Sequence, residues 1–174
     1  MRRQPDAGPA TIPGSLPWRL SRNGRRCFLV THIAAGGAWL GLDVAMGVLV
    51  FVALTADRPS TRVLCYQALN LVAVWPLLAV GLLSLASGVV LAWGSKYGLL
   101  RYWWVTIKLA LNIALTALVP LALQPTVLDA VERANTYAAT GAGDLSVGNL
   151  VFPPIVSPAA LLVAMVLSVF KPWG

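Results

Sequence analysis

No charged residue occurs between Val63 and Ser95, between Leu109 and Leu128, or between Leu145 and Phe170. An apolar stretch of about 18 residues or more is long enough to cross a bilayer as a helix. These blocks therefore leave few folds open. Composition agrees: the chain is 58% hydrophobic and 11% charged, where a soluble domain is roughly 25% charged. A soluble fold of 174 residues has too much surface to cover with so few charges. The chain reads as an integral membrane protein, and a soluble enzyme is excluded.

The net charge is +7, yet nucleic acid is not the implied partner. Arg2, Arg3, Arg19, Arg22, Arg25 and Arg26 all precede the first apolar stretch. Cations flanking a span set its orientation and attract anionic lipid head groups. The stretch from about Cys27 to Thr55, interrupted only by His32 and Asp43, is longer than the ~7–15 apolar residues of a signal peptide. It reads as a retained anchor.

Residues 1–26, rich in Pro, Gly, Arg and Ser, read as a flexible basic tail, with Leu16, Trp18 and Leu20 resting at the interface near its end. Residues 27–174 read as an all-α, four-helix transmembrane domain with spans at about 28–54, 66–93, 102–123 and 149–170. Their continuous apolar character argues for helices, since membrane β-strands alternate. The basic residues of the tail, the second loop (Lys96, Arg101) and the C-terminus (Lys171) outnumber Arg58, Arg62 and Arg133 of the other loops. That bias predicts a multi-pass cell-membrane protein with both termini cytoplasmic. Trp93, Tyr97, Tyr102, Trp103, Trp104 and Trp173 fall at the cytoplasmic boundary, as an interfacial belt would.

The outer loop, 124–148, should open with a short helix over Pro125–Ala139. Thr126 would cap it, with Asp129 three residues on, and Leu128 and Val131 would face the membrane. Pro153, Pro154 and Pro158 predict a kinked or unwound outer end for the last span. Cys27 and Cys65 lie at opposite ends of their spans and cannot pair within one chain. The chain has no cysteine spacing that points to structural zinc or c-type haem.

Ionisable groups inside spans cost about 2.5–3.5 kcal/mol on insertion scales and mark candidate functional sites. Here they are His32, Asp43 and Lys108. His32 and Asp43, close to three turns apart, share one face at a separation of about 16 Å. His32 and Lys108 should sit at matched depth and converge if their helices are neighbours. Lys108, Asn112 and Thr116 repeat every fourth residue, a polar stripe that should face protein. Asp43 reads as a structural hydrogen-bonding group or a counter-charge to Lys108, with Gln67 and Asn70 level with it. Gly37, Gly41 and Ala45, like Ser84 and Gly88, have the small-xxx-small spacing that packs helices. For the first set, packing within the bundle is expected ahead of a dimer. Alternatively, Gly36, Gly37 and Gly41 leave room for a flat cofactor.

His32-x6-Trp39-x-Gly41 and Trp104-x3-Lys108-Leu109 resemble the four-helix membrane superfamily of CopD-like copper-resistance proteins and HemJ-type protoporphyrinogen oxidases. The segments Gly98–Trp104 and Leu167–Gly174 look more like an uncharacterised actinobacterial branch, a domain-of-unknown-function family. The resemblance covers roughly 27–174. It implies that His32 and Lys108 match a histidine and a lysine tied to haem b binding in the HemJ branch. The chain departs from that branch at Leu42-Asp43-Val44, where a Leu-Pro-Arg segment is usual, and at Thr106 and Ile107, where a histidine adjoins the lysine.

Three functions follow as expectations. The first is an accessory or structural bundle acting through packing or through a partner, a second copy or another membrane protein. The second is a haem-binding redox protein of the HemJ type, with His32 as axial ligand and Lys108 as second ligand or as a propionate or proton partner. The third is a metal or small-molecule transport helper of the CopD type, with His32 as metal ligand.

Overall fold

The computed structural model describes residues 21–93 and 102–170. Expectations resting on residues 1–20, on Lys96, Tyr97 and Arg101, and on Lys171 and Trp173 lie outside them. Among the described residues the protein is all-α. Four helical stretches are long and apolar enough to cross a membrane: Arg22–Thr55, Pro59–Trp93, Trp103–Thr140 and Gly148–Phe170.

The first stretch is one helix, α1 (Arg22–Thr55), and it starts earlier than the expected tail boundary at residue 26. The Ser21 side chain accepts a hydrogen bond from the Gly24 amide at 3.1 Å, which satisfies one of the amides a helix start leaves open. Arg22, Arg25 and Arg26 therefore belong to the helix.

The second stretch contains the span expected over 66–93, but it starts earlier, at Pro59, and is interrupted within. It divides at Val74 into α2 (Pro59–Ala73) and α3 (Trp75–Trp93). Pro76 has no amide to donate and its ring crowds the preceding turn. The third stretch runs from α4 (Trp103–Leu118) through a wider π-helical turn (Val119–Leu123) into α5 (Gln124–Thr140). Pro120 and Pro125 again remove donors that a regular ladder needs. The helix expected at Pro125–Ala139 is present, but it continues α4 directly. Thr126 is not its cap: its hydroxyl donates back to the Ala122 carbonyl at 2.7 Å, within the helix. Leu128 is exposed as expected, whereas Val131 packs against the core.

A 3-10 turn (Gly148–Val151) leads into α6 (Pro153–Phe170). Pro153 and Pro154 occupy its first turn, where a missing amide costs little. Only Pro158 lies inside the helix.

α1 packs most extensively on α3, and α6 lies against α1 and α4. Glycines set how closely α1 and α3 approach. A Cβ on Gly81 would lie 3.0 Å from the Trp39 ring, and one on Gly88 would lie 3.1 Å from the His32 ring. The glycines expected to pack α1 into the bundle do not. A Cβ on Gly37 or Gly41 would meet nothing within 4 Å, and both are exposed.

At 1.5 Å per residue, α6 is about 27 Å long, close to a ~30 Å hydrocarbon layer. α1 is about 51 Å long by the same rule. Gly47 sits beside Pro154, so α1 runs on past the start of α6. There its last turns, α2 and α5 form a cap around buried Val50, Tyr66, Leu69, Val127 and Ala134. The Tyr66 hydroxyl donates to the Leu145 carbonyl at 2.7 Å, and Gln67 donates to Asn135 at 3.1 Å. Gln67 thus ties α2 to α5 within the cap. Gly141, at φ 72°, takes the left-handed position that ends α5. Beyond it, hydrogen bonds from the Ser146 hydroxyl and amide, with the Arg133 charge, hold the Asp144 carboxyl below its ordinary range.

Candidate functional site

Three turns into α1, His32 meets Ser84 and Ser87 of α3. Its Nδ1 lies 3.0 Å from the Ser84 carbonyl oxygen and 3.1 Å from Ser87 Oγ. A carbonyl only accepts, so Nδ1 carries the proton and donates. The Ser87 hydroxyl already donates to the Leu83 carbonyl at 2.7 Å, which leaves Oγ free to accept. In the neutral ring, Nε2 is then unprotonated, with its lone pair available to a ligand. Gly88 gives the ring its space.

Ser84 also ties in α4. Its hydroxyl accepts from Asn112 Nδ2 at 3.0 Å, and Asn112 Oδ1 accepts from the Thr116 hydroxyl at 3.3 Å. The polar stripe of α4 therefore faces protein, as its spacing predicted. Lys108, one turn before Asn112, donates to Ser168 Oγ on α6 at 3.0 Å. Its ammonium also lies 4.5 Å from the centre of the Trp104 ring, a favourable cation–π position.

His32, Lys108 and Asn112 border one partly open cavity of about 630 Å³ between α1, α3, α4 and α6. His32, Ser84, Lys108, Asn112 and Ser168 supply its polar groups, and the rest of the wall is mainly aliphatic. His32 and Lys108 thus share a cavity, each steadied by a different neighbour. Gly36 lines it too, while Gly37 and Gly41 do not.

Asp43 belongs to a separate cluster. The Trp39 indole donates to Ser157 Oγ at 3.0 Å, and the Ser157 hydroxyl donates to Asp43 Oδ2 at 2.7 Å. Asp43 is 1% exposed, and its Oδ1 has no hydrogen-bond partner among the described residues. Both Asp43 and His32 face inward, as their spacing predicted. The counter-charge reading of Asp43 is overturned. Its partner Ser157 and the Lys108 partner Ser168 are separated by about 16 Å along α6. A second cavity of about 450 Å³, lined by Trp39, Met46, Leu115, Asn149 and Ser157 among others, adjoins this cluster.

Sequence reasoning missed Ser87, Ser157 and Ser168. A signal was present: Ser157 and Ser168 repeat the spacing of His32 and Asp43, so both serines share one face of α6.

No group of three or more His, Cys, Asp or Glu side chains that could hold a metal ion occurs among the described residues. No protein-family model, curated protein or solved structure matches the chain.

Proposed function

We propose that the protein is a membrane-embedded binding protein whose interior cavity holds a largely apolar ligand carrying an acidic group, with haem b as the first candidate. The observation that carries this reading is His32, whose Nδ1 is fixed by Ser84 and Ser87 in a cavity within the ~300–1,000 Å³ range of small-molecule sites. A hydrogen bond at one ring nitrogen orients a histidine and strengthens the other as a metal ligand.

The residues present fit haem. His32 would hold the iron through Nε2, the aliphatic wall suits the macrocycle, and the Lys108 ammonium suits a propionate. Bound haem would supply one-electron redox chemistry. The visible spectrum of detergent-purified protein tests the reading. We expect a Soret band as isolated or after titration with haemin. Colourless protein that takes up no haemin would sink it.

A second reading, an accessory bundle that pairs with a second copy or another membrane protein, draws on the outward-facing small residues Ala34, Gly37, Ala38 and Gly41 of α1. Such a stripe lets helix backbones approach closely. Among the described residues, the CopD-type transport reading has no cluster of metal ligands to draw on.

The Lys and Arg bias supports a cell-membrane protein with both termini cytoplasmic and the cap outside. Exposed Arg22, Arg25 and Arg26 suit anionic lipid head groups. In intact cells, a membrane-impermeant maleimide should label Thr136→Cys on the cap and spare Cys27. Labelling of Cys27 alone would invert the topology.

A further inference from the structure

Asp43 is the only buried acidic residue among the described ones, and its surroundings are one positive charge short. Ser157 donates its single hydroxyl proton to Oδ2, and Oδ1 has no partner. The elements packed most closely on α1 are α2, α3, α6 and the 3-10 turn. Of these, α3, α6 and the 3-10 turn carry no ionisable side chain. α2 carries Arg62, Cys65 and Tyr66, and all three serve the cap. Arg62 donates to the Ala56 carbonyl at 2.9 Å, about 20 Å beyond Asp43 along α1. Tyr66 is bonded to Leu145, and Cys65 is buried in the core beside it. On α1 itself the nearest ionisable group is His32, about 16 Å away. Lys108 is tied to Ser168, a similar distance from Ser157 along α6.

A buried charge without a partner is so costly that the group takes up a proton instead. Asp43 is 1% exposed and lines neither cavity, so a metal ion has no space beside it. A proton needs none. It also supplies a donor that the neighbouring backbone lacks. Pro158 has no amide to give the Pro154 carbonyl, and helix carbonyls point toward the residue four ahead. Pro154 sits against Gly47, one turn beyond Asp43 on α1. Its carbonyl therefore points back to the level of Asp43.

We propose that Asp43 is a proton-binding site filled from the cap side. Trp39 and Ser157 line the partly open cavity that also reaches Asn149 and Thr126, and Ser157 joins that cavity to the carboxyl. Water entering there carries the proton to Oδ1 and away again. Loss of the proton leaves a bare anion between α1 and α6, so their packing answers to proton supply at the cap. The site does not rest on the ligand reading, because His32 and Lys108 border the other cavity.

Infrared spectroscopy of the full chain in lipid vesicles, isotope-labelled at the aspartate carboxyls, tests this. At neutral pH the parent should show the carbonyl band of a protonated carboxyl, moved by the label and absent from Asp43→Asn. No such band, or one that Asp43→Asn keeps, would overturn the proposal. Asparagine is a neutral mimic with an amide donor in place of the acid proton. Asp43→Asn should therefore melt with the parent in detergent at neutral pH. A melt far below the parent would also overturn the site, since the negative charge would then be what holds α6.

In heavy water the band should shift as the proton exchanges for deuterium. Val156→Trp, placed in the cap-side cavity, should slow that shift several-fold. Ala164→Trp, placed in the other cavity, should leave its rate unchanged. Slowing by Ala164→Trp, or none by Val156→Trp, would overturn the cap-side route. Haemin uptake is read separately from the Soret band, so its failure would count against the ligand reading alone.

Discussion

Replacing Trp39 with alanine is expected to destabilise the folded protein by about 3–5 kcal/mol, the range for truncating a buried aromatic side chain. The indole is 1% exposed, and α3 meets it with a glycine at position 81 because a Cβ there would approach within 3.0 Å. Alanine would empty that space into the adjoining 450 Å³ cavity. It would also remove the donor that, with Asp43, locks Ser157. The hydrogen bond is the smaller part. Such bonds in membrane proteins average about 0.6 kcal/mol and reach about 1.7, so Trp39→Phe should lose only about that much plus the difference in ring size.

Thermal unfolding in detergent measures the effect, with Trp75→Ala as the comparison. Trp75 is 69% exposed at the break between α2 and α3 and should change little. If both alanine variants melt together with the parent, Trp39 is not the packing centre described above. Gly81→Ala adds a check through coupling. Alone it should overpack the ring and cost about 1–3 kcal/mol. In the Trp39→Phe background the far ring atoms are gone, so the same change should cost less.

The four spans were legible because length and missing charge alone decide what crosses a bilayer. So was the α4 stripe, where Lys108, Asn112 and Thr116 are polar enough to stand out from an aliphatic helix. The break within the second span was not. Hydropathy is blind to a backbone break, and a single Pro76 in an apolar run is tolerated in many membrane helices.

The glycine error has a related cause. A small residue opens a surface for close approach without saying whether a neighbour takes it. The approaches that formed are at Gly81, which faces the Trp39 ring and the Thr116 hydroxyl, and at Gly88, which faces the His32 ring. Serines were the quietest signal. In an apolar helix Ser157 and Ser168 read as small neutral residues, yet they bond Asp43 and Lys108. Their partners come from α1 and α4, so pairing them requires the tertiary arrangement.

His32→Ala should abolish haemin binding, or weaken it more than 100-fold, with loss of the Soret band. The argument is one of donor supply. His32 is the only histidine in the chain, so no neighbouring imidazole replaces it. Ser87→Ala should weaken binding by about 10–100-fold, the usual range for removing a partner that orients a ligating histidine. It should do so without abolishing binding, because the Ser84 carbonyl still holds Nδ1. Gly88→Val should fall near His32→Ala, since added methyl groups would enter the space of the imidazole ring.

Lys108→Met separates the two roles open to that residue. As a propionate partner, Lys108 contributes affinity, so the variant should bind more weakly with an unmoved Soret maximum. As a second iron ligand it shapes the spectrum, and the maximum should shift. Titrating each purified variant with haemin reads both quantities from the same spectra. Parent-like binding by His32→Ala would remove His32 from any ligand role and leave the cavity as an unspecific apolar sink.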